Sequence, residues 1–263
     1  MRELGTGVDI TPLESGGFGS WERITTLASG IADVLGSPLI IAAIYDRDYF
    51  CQEYIDEILA TLSVRLRLGH VHRRKEIENY LLIPAALDRA IAHGTSERGL
   101  GGGRNSVPSA DAAALLREIT DPLRDSIQSQ ILARRWEYLR SSGRDLADVN
   151  QETIAGFGPV WSDLSRRLEI IPGKEVLGRF RGRVQEICGV SLTDNRIIDA
   201  MRREDIPVDL AELLLKLENF RVLLNKCCQI VFDQRMSFFV IAHAGRQQVW
   251  GAGVGWAQNV VDG

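Results

Sequence analysis

The first third of the chain alternates between continuous apolar runs and apolar residues at helical spacing. The run PLIIAAIYD at residues 38–46 is typical of a strand that is buried on both faces of a parallel sheet, and GHVHR at 69–73 is a shorter strand candidate. Residues 51–66 predict an amphipathic helix, and residues 76–94 predict another that breaks or kinks near Pro84. This succession predicts an α/β fold with a small parallel sheet and flanking helices.

The pattern changes after residue 94. Residues 95–112 are polar and glycine-rich, which predicts a flexible linker, and residues 113–221 carry helical periodicity almost throughout. Residues 222–263 lack clear periodicity and predict an irregular tail. We therefore expect an α/β domain at residues 1–94, followed by a mostly helical C-terminal region.

Composition narrows the class of protein without identifying its activity. The 263 residues are 45% hydrophobic and 25% charged, as in globular proteins that have a substantial core. The net charge is -4, so any nucleic-acid surface must be local. No signal peptide and no apolar run of about 18 to 20 residues is visible, so we expect no membrane span. Four cysteines without CxxC or zinc spacing indicate reduced thiols and a cytoplasmic location.

Two aspartates follow the long apolar run. Asp46 and Asp48 are two positions apart, so an extended strand would direct both side chains to the same side. Close carboxylates repel each other and raise each other's pKa, which a divalent cation between them relieves. Oxygen ligands suit Mg²⁺ or Mn²⁺. The alternative is structural, with Asp46 capping a turn and Asp48 pairing with Arg47 at the surface.

A second charged segment follows the next strand candidate. Glu76 and Glu78 should reach the same edge of the sheet as the two aspartates, although acidic residues also stabilise the first turn of a helix. The basic run at residues 73–75 is either a solvated face or a phosphate contact. Lys174 stands just after a Pro-Gly pair near a helix start, where it could contact a phosphate or remain simply exposed.

The segments PLIIAAIYDRDY, HVHRRKEIENYLLIPAAL and IPGKEVL, in this order, resemble the Toprim nuclease domain of the overcoming-lysogenization-defect (OLD) family. The resemblance covers roughly residues 8 to 220. Proteins of that family join an ABC-type ATPase to a C-terminal Toprim domain, and some act in anti-phage defence. The resemblance implies that the sheet is Toprim/Rossmann-like and that the chain is a metal-dependent DNA endonuclease.

Individual residues take roles from this resemblance. Asp46 and Asp48 match the DxD metal ligands, and Glu76 and Glu78 fall in the acidic stretch of which at least one member joins them. Lys174 matches the catalytic or phosphate-contacting lysine, and Glu76 is the acidic residue expected to share in catalysis. The implied cofactor is Mg²⁺ or Mn²⁺. The implied partners are DNA, an ABC-type ATPase domain or chain, and a second copy of the protein in a homo-oligomer.

The chain also departs from the family pattern. A Toprim domain starts with a strand that ends in a glutamate, typically within VEG, and neither Glu3 nor Glu14 has that context. We therefore expect an N-terminally truncated Toprim domain without its ATPase. This departure keeps a second hypothesis open, in which the chain is a non-catalytic Toprim-like fragment that acts as a protein-interaction module. A third hypothesis is a phosphohydrolase with an aspartate nucleophile. Such enzymes usually carry the motif DxDx[TV], and no Thr or Val follows Asp46-Arg47-Asp48 and Tyr49 here, so this hypothesis ranks last.

Overall fold

The computed structural model describes residues 13–14, 26, 30, 39–101, 110–225, 230–231 and 237–243. In these residues the chain is mostly helical and carries a small parallel strand pair, which confirms the α/β class at a coarse level. Two compact units divide the chain. One comprises Ile44–Val64 and Gly69–Leu215, and the other comprises Met1–Ala43, Arg65–Leu68 and Lys216–Gly263.

Strands β2 (Leu39–Tyr45) and β3 (Leu68–Val71) are neighbours, and they run parallel. The backbone N–H of His72 donates to the carbonyl of Tyr45 at 2.8 Å, so the C-terminal ends of the two strands are adjacent. In β2 the side chains of Ala42 and Ala43 are fully buried. The continuous apolar run therefore forms a buried strand, as its sequence predicts.

The other strands are short or lie late in the chain. Strand β5 (Ser237–His243) pairs antiparallel with β1 (Leu13–Glu14) and with β4 (Ile230–Val231). The tail expected to be irregular at residues 222–263 thus contains a helix end and two strands, a correction to the sequence interpretation. The sequence of β5, SFFVIAH, is a nearly continuous apolar run. It therefore lacks the alternation of apolar and polar residues that predicts a half-buried strand.

The helices follow the predicted periodicity closely. Helix α1 (Gln52–Arg65) confirms the helix expected at 51–66, and a 3₁₀ helix, Ile77–Leu81, precedes α2 (Pro84–Gly101). Proline is favoured in the first helical turn, so the break falls where the sequence predicts it. The α-helices are α1 Gln52–Arg65, α2 Pro84–Gly101, α3 Ala112–Thr120, α4 Arg124–Leu139, α5 Leu146–Ser162, α6 Leu164–Ile170, α7 Gly173–Cys188, α8 Asp194–Ala200 and α9 Val208–Asn225.

The linker prediction needs correction. Helix α2 continues through Gly101 and α3 begins at Ala112, so residues 95–101 are helical rather than part of a linker. Residues 102–109 lie outside the described residues. The compact unit of Ile44–Val64 and Gly69–Leu215 includes both α2 and α3.

One hydrophobic core joins the helices of this unit. It contains side chains from α2 and α3 that pack with those of α5, α6, α7 and α8. Fully buried members include Leu87, Leu116, Val176, Phe180 and Ile197. This core holds the N-terminus of α7 beside the ends of β2 and β3, and so fixes the surroundings of the predicted acidic residues.

Candidate functional site

Asp46 directly follows β2 and is 9% exposed. Its Oδ1 accepts a hydrogen bond from the backbone N–H of Ile77 at 3.0 Å. Ile77 opens the 3₁₀ helix after β3, so this bond ties the end of one strand to the segment that follows the next. The expectation that both segments reach the same edge of the sheet is met by this contact.

Asp48 reaches the same place by a different route from the one the sequence suggested. The strand ends at Tyr45, and Asp48 has a φ of 48°, in the left-handed region. Aspartate tolerates this conformation better than most residues because its short side chain can bond locally. The argument from strand alternation is therefore wrong, although the backbone N–H of Asp48 still donates to the carbonyl of Lys75 at 3.0 Å.

Glu76 is engaged at both carboxylate oxygens. Its Oε1 accepts from the ammonium of Lys75, and its Oε2 accepts from the backbone N–H of Lys174 at 2.9 Å. Lys174 lies in the first turn of α7, where free N–H groups and the helix dipole favour a negative charge. Glu76 thus connects the 3₁₀ helix to α7.

Lys75 is the charged residue that the sequence interpretation misplaced. Its side chain is 10% exposed, and its Nζ lies 3.8 Å from Asp48 Oδ1 and 4.9 Å from the centre of the Tyr49 ring. Arg74 is half-buried and lies over the Tyr80 ring, whereas Arg73 is exposed. The basic run is therefore not one continuous surface for phosphates.

Glu78 differs from Glu76 in its bonding. Its Oε2 is buried and has no hydrogen-bond partner among the described residues. A buried acceptor without a partner costs free energy, so such atoms call for an explanation in terms of strain, water or an ion.

The electrostatic environment of Asp46 reflects these neighbours. Burial, together with the negative charges of Glu78, Asp48 and Glu76, raises the pKa of Asp46 to about 7, against the lowering effect of the Ile77 N–H. Burial also raises the pKa of Asp48, while the ammonium of Lys75 lowers it. Negative charge at Asp46 is thus incompletely balanced by the protein's own cations.

Asn79 and Gly173 hold the α7 side of the site in place. The fully buried Asn79 amide donates to the carbonyls of Leu168 at 2.8 Å and Ile171 at 2.9 Å, and its Oδ1 accepts from the Glu76 N–H. A Cβ at position 173 would lie 2.4 Å from Asn79 Oδ1. Glycine is required there because α7 begins in contact with Asn79.

The other predicted residues separate clearly. His72 is 2% exposed and packs against the Tyr80 ring with centroids 5.4 Å apart, so it belongs to the core. The Lys174 side chain is exposed, and it is the backbone N–H of Lys174 that contacts Glu76. Sequence reasoning missed the roles of Lys75, Tyr49 and Asn79. The reciprocal bonds of Glu76 and Asn79 could not be predicted, because their order is the reverse of the usual Ser/Thr-x-x-Glu/Gln capping signal.

The carboxylate oxygens at this site are ligands of the type that Mg²⁺ prefers. Among the described residues no group of three or more His, Cys, Asp or Glu side chains is arranged to hold a metal ion. Mg²⁺, however, keeps several waters and takes only one or two carboxylates. Both oxygens of Glu76 already accept a hydrogen bond, whereas Glu78 Oε2 is buried and has no hydrogen-bond partner among the described residues, so Asp46, Asp48 and Glu78 are the carboxylates most open to a cation.

Comparisons of the chain with protein-family models, with curated proteins and with solved structures found no match. The geometry therefore has to support any functional conclusion. None of the helices within the described residues combines the length and apolar character needed to cross a bilayer.

Proposed function

We propose that the chain is a metal-dependent nuclease module that hydrolyses phosphodiester bonds in DNA. The observation that supports this most is the buried Asp46, whose pKa is raised to about 7 beside three further carboxylates. Structural carboxylates are normally placed next to cations, so an acid cluster at the end of a parallel strand pair favours a binding role. A divalent cation would supply that missing positive charge.

The roles of the residues differ from those that the sequence alone implied. One or two of the carboxylates of Asp46, Asp48 and Glu78 would hold Mg²⁺ or Mn²⁺ together with waters. The ion would polarise a phosphoryl oxygen and lower the pKa of a bound water. Glu76 positions the first turn of α7 and the ammonium of Lys75. Lys75 offsets negative charge at Asp48, and the exposed Lys174 would contact the phosphate backbone of the substrate.

A second candidate is a non-catalytic protein-interaction module. The observation that favours it is Lys75, because its ammonium already balances charge at Asp48 and Glu76 without a metal. An ABC-type ATPase partner, a homo-oligomer, a cytoplasmic location and anti-phage defence remain predictions from the resemblance to the OLD family.

Plasmid nicking distinguishes the two functions. We expect the protein to nick supercoiled plasmid with Mg²⁺ or Mn²⁺, EDTA to abolish nicking, and Asp46→Asn to reduce the rate by at least about 100-fold, since removal of even an indirect metal partner costs about 10- to 100-fold. Asp56→Asn is the matched control, because Asp56 is exposed on α1 and bonds only Gln52 among the described residues.

Circular dichroism of each variant shows whether it is folded. Folded wild-type protein that leaves the plasmid intact with both metals would contradict the nuclease proposal and favour the interaction module. Equal nicking by the Asp46→Asn and Asp56→Asn variants would place the activity elsewhere.

A further inference from the structure

A small cavity lies directly beside the acidic cluster, which consists of Asp46, Asp48, Glu76 and Glu78. It has a volume of about 190 Å³ and is formed by the loop after β2, the N-terminal end of α7 and the start of α4. Tyr49 and Lys75 form the wall that it shares with the cluster, and Pro172 forms the wall at α7. A group bound here would therefore lie next to a phosphate held at Asp46 and Asp48.

The size of the cavity limits its occupant. Sites for drug-sized ligands are about 300–1,000 Å³, so this cavity takes a single ring system and not a dinucleotide or a folded peptide segment. The walls supply one aromatic ring, Tyr49, and the aliphatic side chains of Leu123 and Ile127. Such walls favour a flat, uncharged, largely apolar group.

The polar residues at the rim indicate what kind of ring. Ser126 and Gln130 lie one turn apart on α4, and the Gln130 amide donates to Ser126 Oγ at 3.3 Å. A hydroxyl and a carboxamide offer both donors and acceptors, which is what the edge of a nucleobase requires. Glu175 and Lys75 also line the cavity, and the Glu175 carboxylate is paired with Arg179, so the lining carries charge of both signs and does not itself select an anion.

We propose that this cavity binds one unpaired nucleobase of a nucleic-acid strand whose phosphate lies at the acidic cluster. The inference rests on the proposed nuclease function and extends it, because it makes single-stranded or locally unpaired DNA the substrate class. A base that remains stacked in a duplex cannot enter a cavity of this shape, whereas an unpaired base can stack on Tyr49.

The test is a binding measurement that needs no catalysis. Fluorescence anisotropy, with Ca²⁺ as the divalent cation and at fixed salt, compares a labelled single-stranded oligodeoxynucleotide with one of equal length in which every base is replaced by an abasic sugar. We expect the full chain to bind the natural strand at least about fivefold more tightly, the lower end of what base stacking on an aromatic side chain contributes.

A pair of variants locates the effect. Ser126→Phe fills the cavity and should remove the preference for bases without changing the affinity for the abasic strand. Ser129→Phe is the matched control, since Ser129 is an exposed residue on the same helix that does not line the cavity, and it should keep the preference. Ser126 is also exposed, so both variants should melt at the wild-type temperature.

The outcomes separate this inference from the nuclease proposal. Equal binding of both strands, binding of neither, or equal loss of the preference in the two variants would overturn the inference. If the plasmid stays intact while Ser126→Phe alone loses the base preference, the cavity binds a base in a protein that is not a nuclease. If the plasmid is nicked without any base preference, the nuclease proposal stands alone.

Discussion

Two buried charged residues in the same compact unit, Arg167 and Asp46, differ in their hydrogen-bond partners and in the charges around them. Arg167, on α6, is 6% exposed and donates to the carbonyl of Trp161 at 2.7 Å, to Thr120 Oγ1 at 3.2 Å and to Asp121 Oδ1 at 2.6 Å. Its guanidinium also lies over the Trp161 ring. Asp46 is 9% exposed, accepts one backbone N–H, and lies among further carboxylates.

The difference separates stability from binding. A buried charge with a full set of partners fixes the packing around it, whereas one beside like charges lowers the stability of the empty protein. Arg167 connects α6 to the end of α3, so it holds the helical core together. Asp46 has no comparable set of partners, and this difference supports the proposed binding role.

The largest effect should come from removing Arg167. Arg167→Met should lower the free energy of unfolding by about 3 kcal/mol, because several buried partners lose their donor although Asp121 can be solvated. Urea denaturation measures this, and Arg166→Met serves as the control since Arg166 is exposed. A loss no larger than that of the control would show that the two buried charges do not differ as described.

Removing the charge of Asp46 should have the opposite sign. Asp46→Asn keeps an acceptor for the Ile77 N–H and should raise the free energy of unfolding at pH 8 in EDTA by an amount on the order of 2 kcal/mol. Metal-free conditions are essential, because a bound cation would stabilise the wild-type carboxylate and reverse the comparison.

The pH dependence identifies the cause. The pKa of Asp46 rises from 3.8 to about 7 on folding, so the folded state binds the proton more tightly and wild-type stability falls as the pH rises between these values. The difference in stability between Asp46→Asn and wild type should therefore grow from about pH 4 to pH 7 and then level off. A constant difference across this range would contradict the proposed environment.

The smallest effects should distinguish the two glutamates. Glu76→Gln breaks the contact with the buried Lys75 and should destabilise the protein by about 1 kcal/mol. Glu78→Gln removes a charge that opposes ionisation of Asp46 and should be neutral or stabilising by up to about 1 kcal/mol at pH 8 in EDTA. Changes of the same sign and size in the two variants would remove the distinction between them.

Local patterns predicted the elements well. The apolar run before Asp46 specified a buried strand, and Pro84 marked the start of α2, because both signals depend on neighbouring residues alone. The helices from α3 to α9 follow from apolar spacing in the same way. The likeness to a Toprim domain remains a prediction, since only a two-strand parallel pair supports it.

The details of the site depend on contacts that no local pattern reveals. The left-handed backbone conformation at Asp48 is not signalled by a glycine in the sequence. Lys75 is buried, although lysine is usually exposed. The sequence therefore predicted which carboxylates meet, but it could not assign them separate roles. The roles of Glu76 and Glu78 follow only from what α7 brings beside them.

The bond between Glu76 and the Lys174 backbone has a consequence for how the protein is made. The two residues are 98 positions apart, and Asn79 meets Ile171 across 92. Because synthesis proceeds from the N-terminus, a nascent chain that has emerged only as far as α5 carries all four acidic residues but lacks the helix that orients them. The contact between Glu76 and the first turn of α7 is therefore completed late, after the ribosome has released that part of the chain.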